Sequence, residues 1–167
     1  MEWGSDDMQV HKIKTAHVGS GGWEGWAQVE IMFLLNSGRE DSCYVDDPTL
    51  RADIVLTPSG SGHSQFAVPY VNHECVVLEL KCESYMNALH FKDEVKKDLQ
   101  KIRGKNIKDR LLQGGCNVYS LAFSMTKEGD VAMESLGMEL FHMSDLRKQP
   151  PFRLWWSVRQ IPPKGKH

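Results

Sequence analysis

The segment "HECVVLELKCES", residues 73–84, has the apolar character of a buried strand and carries two charges inside it. Val76, Val77, Leu78 and Leu80 read as a strand covered on both faces, yet Glu79 and Lys81 lie among them. Residues two apart on a strand share a face, so a carboxylate and an ammonium stand side by side. Charges are buried at tolerable cost only when paired or bound to an ion. A further acid, Asp53, sits in the apolar stretch "RADIVL", 26 residues before Glu79. Two convergent carboxylates can hold a hard cation such as Mg2+ and leave positions for water and a phosphate oxygen. Such a cation polarises a phosphoryl group and lowers the pKa of its water. A lysine beside it orients the water and offsets charge developing in the transition state. The expected chemistry is metal-dependent phosphodiester hydrolysis, with Asp53, Glu79 and Lys81 catalytic and the two acids as metal ligands. A structural Glu79–Lys81 ion pair near a strand end is the alternative.

These residues must be positioned by the surrounding elements. "WEGWAQVEIMFLLN" (residues 23–36) predicts a helix whose core-facing side carries Trp23, Trp26, Ala27, Glu30, Phe33 and Leu34, with Ser37-Gly38 as its stop. "DSCYVDD" reads as a short strand ended by Pro48, and residues 51–57 as a second. "PSGSGHSQ" reads as a loop, and "FAVPYV" as an edge strand or bulge because of Pro69. After the strand at 75–82, Phe91, Val95, Leu99 and Ile102 form one stripe of a helix stopped near Gly104. "CNVYSLAFSM" is a further apolar strand, and "GDVAMESLGMELFHM" fits either strand or short helix. A helix joining two strongly apolar strands implies a crossover and a sheet at least partly parallel. The expected fold is one α/β domain with a central mixed sheet flanked by helices. Its limits are a flexible lead-in (1–20), the domain proper (21–149), and a Pro-rich basic segment (150–167) wrapping the surface.

Asp53 followed by Glu79-Leu80-Lys81, in that order of elements, resembles the PD-(D/E)XK (restriction-endonuclease-like) nuclease superfamily over residues 23–125. Ala52 stands where the family often has proline before the first acid. The resemblance implies a Mg2+-dependent endonuclease, with Mn2+ an acceptable substitute, acting on nucleic acid and on DNA rather than RNA. It also implies that Glu30 is a third catalytic acid and metal ligand, like the helix glutamate of many members; alternatively Glu30 pairs with Arg51 or Lys81. On the crossover helix, Lys97 and Lys101 are the expected phosphate contacts, with solvated lysines the alternative. A catalytically silent member that binds nucleic acid or a protein partner is the second functional reading.

Composition agrees with a globular chain: 167 residues, 41% hydrophobic, 25% charged, net charge −2. The charge is uneven, with eight Lys/Arg against four Asp/Glu between Lys92 and Arg110, and six against one from Ser144 onward. Basic segments of this kind can grip a polyanion. Trp155 and Trp156, beside Arg153 and Arg159, are the open candidates for stacking on bases. No window reaches the roughly 18 apolar residues of a membrane helix, and "MEWGSDDMQV" lacks the signal-peptide pattern. A cytoplasmic or nuclear protein without membrane contact is expected. A homodimer is compatible with this class, as is an inhibitor protein if the chain is a toxin. The four cysteines form no C-x-x-C pair. Cys75 and Cys82 flank one strand about 23 Å long, too far for a mutual disulfide, so reduced thiols are expected. The seven histidines show no H-E-x-x-H spacing, and Walker, G-x-S-x-G and G-x-G-x-x-G motifs are absent.

Overall fold

The computed structural model describes residues 7–19, 22–35, 43–46, 49–56, 74–142 and 150–164. The loop and edge strand expected between Pro58 and Val71 lie outside them, as does the helix stop at Ser37-Gly38. The described elements run α1 (Asp7–Val18), α2 (Glu24–Leu34), β1 (Ile54–Leu56), β2 (Cys75–Cys82), α3 (Phe91–Gly104), a 3-10 turn (Asp109–Leu111), β3 (Cys116–Ser124), α4 (Lys127–Ser135), β4 (Glu139–Leu140) and β5 (Arg153–Ile161). The fold is α/β, with the five strands in one mixed sheet of order β1-β2-β3-β5-β4 flanked by helices.

β1 and β2 are antiparallel, with Ile54 opposite Leu78 and Leu56 opposite Val76. Between β2 and β3, Cys75 N–H donates to the Gly115 carbonyl and Glu83 N–H to that of Phe123, both at 2.9 Å. The partner numbers rise together, the sign of a parallel pair, and α3 is the crossover this pairing requires. Its stripe is the expected one: Phe91, Val95, Leu99 and Ile102 are all buried, each stabilising the fold by roughly 1.5–3 kcal/mol.

The ambiguous segment resolves into a helix followed by a short strand. Thr126 caps α4, its hydroxyl accepting from Gly129 N–H at 3.0 Å. Gly137, at φ 72°, ends it in the left-handed conformation that glycine adopts freely. Three expectations are corrected. Residues 7–18, read as lead-in, form α1. The tail does not wrap the surface, because Arg153–Ile161 lies within the sheet between β3 and β4. Residues 43–46 form only an isolated bridge, Tyr44 to Ile107, and no strand.

Contacts divide the chain into two compact units, Met1–Gly25, Lys81–Lys97 and Leu121–Ser157 in the first, and Trp26–Leu80, Asp98–Ser120 and Val158–His167 in the second. In the first, Trp23 is fully buried, edge-on to Phe123 with centroids 5.6 Å apart, and its indole donates to the Glu83 carbonyl at 2.7 Å. Trp155 is likewise buried and donates to Ser124 Oγ at 2.8 Å, so it is a core residue rather than an open platform for bases. In the second unit, Arg159 donates to the carbonyls of Ile102 and Lys105, satisfying acceptors left over at the end of α3. Trp23, just before helix α2, and Ala27 within it are buried, but Phe33 is 81% and Leu34 39% exposed, so the apolar side assigned to the helix continues into solvent. All four cysteines are free and buried.

Candidate active site

Asp53 stands one residue before Ile54, which pairs with Leu78, and so lies close enough to Glu79 for its charge to be felt there, which is how two acids distant in sequence meet. Asp53 lies in a bend and is anchored from two directions. Leu80 N–H donates to its Oδ2 at 2.7 Å, while Gln28 Nε2 of α2 donates to its carbonyl at 2.7 Å and approaches Oδ1 at 3.4 Å.

Glu79 is 2% exposed. The Tyr44 hydroxyl donates to its Oε1 in a short hydrogen bond, and Lys101 Nζ of α3 donates to Oε2 at 2.6 Å. Tyr44 reaches this point because its segment is pinned to residues 106–108, Val45 N–H donating to the Asn106 carbonyl and Lys108 N–H to that of Cys43. Lys101 also donates to the Arg51 carbonyl at 2.8 Å and lies 5.2 Å from the Tyr44 ring centre. Burial pushes the Glu79 carboxyl up to about 7; Lys101 and Tyr44 oppose the rise and the charge of Asp53 adds to it. Burial, and then the charge of Glu79, raise the Tyr44 phenol well above its ordinary value, so Tyr44 serves as a donor only.

The remaining predicted residues fall elsewhere. Lys81, in the first unit, pairs with Glu24 Oε1 at 3.0 Å, and Glu24 Oε2 accepts from Cys82 N–H at 3.4 Å. Glu24 opens α2, so this glutamate, and not Glu30, meets Lys81. Glu30 is half-exposed and makes no hydrogen bond or ion pair among the described residues. Of the two lysines expected at phosphate, Lys97 is exposed on α3, whereas Lys101 turns inward to Glu79.

Tyr44 and Gln28 are therefore partners of the two acids that the sequence did not mark, as is Glu24 for Lys81. Gln28 follows Glu24 by one helical turn, beside the buried Ala27, which is the position from which a polar side chain reaches a strand end. Tyr44 had no such signal, because its contact depends on a pairing across sixty residues of chain. Among the described residues no group of three or more His, Cys, Asp or Glu is arranged to hold a metal ion. No family model, curated protein or solved structure matches the chain.

Proposed function

We propose that this chain is a metal-dependent nuclease that hydrolyses phosphodiester bonds of nucleic acid, with DNA the expected substrate. The observation that carries the reading is the nearness of two acids, Asp53 beside β1 and the buried Glu79 of β2, the charge of Asp53 raising the carboxyl of Glu79. A pair of this kind calls for positive charge, and Mg2+ needs only one or two protein carboxylates, since water and substrate phosphate complete its shell. The donor set fits on that ground, with Asp53 and Glu79 as the residues that would hold Mg2+ or Mn2+. Bound there, the cation would polarise the phosphodiester and supply an activated water.

The chain's own groups divide the rest of the work. The backbone N–H of Leu80 and the Gln28 amide aim Asp53, and Tyr44 holds the Glu79 oxygen that Lys101 does not. Lys81 is the ammonium proposed for charge growing on the phosphate, held by Glu24 within its own unit, and Lys97 is the proposed phosphate contact. Glu30 gains no support from its surroundings as a metal ligand.

The engagement of Glu79 by Tyr44 and Lys101 favours a second reading, a catalytically silent protein that binds nucleic acid or a protein partner, in which Glu79–Lys101 is a structural pair. Cleavage of DNA and RNA with and without Mg2+ separates the two. The nuclease should require Mg2+. Lys81→Ala should cut cleavage by roughly 10²-fold while metal still binds, and Asp53→Asn should impair metal binding and cleavage together. Wild-type protein that cuts neither nucleic acid at any Mg2+ concentration would overturn the proposal.

A further inference from the structure

We infer that Lys101 is a resident counter-ion of Glu79, occupying the carboxylate oxygen that a divalent cation must take, so that metal entry displaces its ammonium. The inference rests on the nuclease reading and adds to it a step controlling access to the site.

Lys101 Nζ is 2.6 Å from Glu79 Oε2. A metal–oxygen bond at this carboxylate would be about 2.0–2.1 Å long, and two cations on one oxygen at such distances repel strongly where solvent screens little. One must leave, and the surroundings indicate which. Lys101 keeps 16% of its side chain exposed, and its other hydrogen-bond partner is the carbonyl of Arg51, an exposed residue. Its four-carbon stem lets the ammonium swing toward water while the methylenes stay packed. Tyr44 is fully buried and keeps its hold on Oε1 throughout. Without metal, the removal of Lys101 would leave Glu79 beside Asp53 as a buried acid with a single donor, an expensive arrangement. Lys101 therefore preserves the geometry of the acid until a metal arrives. Lys81, held by Glu24 Oε1 instead, has no part in this exchange.

The test uses Mn2+ alone, without nucleic acid, on the full chain. Lys101→Met keeps the stem and removes the competing charge. By isothermal titration it should bind Mn2+ about tenfold or more tightly than wild type, the size of an ordinary coupling between two ligands of one site. A second measurement needs no variant: reductive methylation of Lys101 in the wild type, followed by mass spectrometry, should accelerate when Mn2+ is added, with Lys97 as the exposed reference. Unchanged or weaker Mn2+ binding by folded Lys101→Met, or a methylation rate at Lys101 indifferent to bound Mn2+, overturns the counter-ion role and leaves the nuclease reading intact. If wild type and variant both fail to bind Mn2+, the nuclease reading and the inference fall together.

Discussion

Glu79 within β2 and Glu83 just beyond the strand are equally buried, each 2% exposed, but their partners differ in kind. Glu83 Oε2 accepts from the backbone N–H groups of Met125 (2.6 Å) and Thr126 (2.9 Å), and Oε1 accepts from the Thr126 hydroxyl (2.5 Å). Those donors open α4, so the carboxylate also complements the positive end of that helix. The fit is close: a Cβ on Gly129 would lie 2.3 Å from Glu83 Oε2, and only glycine lets α4 approach. Glu79 instead meets the tips of two long side chains, a phenol and an ammonium. Fixed backbone donors hold an acid permanently, whereas side-chain donors can be exchanged for another ligand. Burial alone does not separate the two acids; the kind of donor that holds each does.

The largest expected effect separates the two acids by stability. Glu83→Ala strands two backbone N–H groups and a hydroxyl in the interior, and should destabilise the fold by about 4 kcal/mol. That corresponds to roughly 10 °C in melting temperature for a chain of this size. Glu79→Gln, measured near pH 4.5 where the folded carboxyl is neutral, should change stability by no more than about 1 kcal/mol. Denaturant titrations of both variants check this, and the opposite ranking would break the comparison.

A somewhat smaller effect is expected from pH. The Glu79 carboxyl titrates near 7 in the fold, against an ordinary value of 4.5. Between those values the folded chain holds a proton that the unfolded chain has released, so this group's contribution falls as pH rises through the window and is constant above it. The span is about 3 kcal/mol. Subtracting the profile of Glu79→Gln from that of the wild type isolates it, and a difference that is flat from pH 4.5 to 7 would remove the distinction drawn for Glu79.

The smallest effects come from single donors. Thr126→Ala should cost about 1–2 kcal/mol, since it removes both the α4 cap and one donor to Glu83. Tyr44→Phe should cost about 1 kcal/mol and move the Glu79 titration to still higher pH, because the lost hydrogen bond favoured the charged form. Repeating the pH series on both variants sharpens the contrast: only the substitution at Tyr44 should shift the midpoint.

Much of the framework was legible because its signals are local. The apolar run of β2 and the four-residue stripe of α3 matched the structure. Helix α2 was misread in part because apolar residues surround it: Trp23 and Ala27 are buried, while Val29 and Phe33 on other turns face water, and periodicity does not say which stripe the core accepts. The tail was misread because its prolines flank β5 instead of interrupting it.

By itself, then, the amino-acid sequence determined the α/β class, the crossover and the candidate acids, since alternation and helical period depend on residues a few positions apart. Only the tertiary structure decided which cation meets which acid. Lys81 stands two residues from Glu79, yet it pairs with Glu24, 57 residues away, and Glu79 takes Lys101, 22 residues away. Neighbours on a strand face can share a surface without touching, because long side chains follow whatever partner the next layer presents. Those partners lie on two different helices, α2 and α3, each placed by packing, and no spacing along the chain encodes their approach.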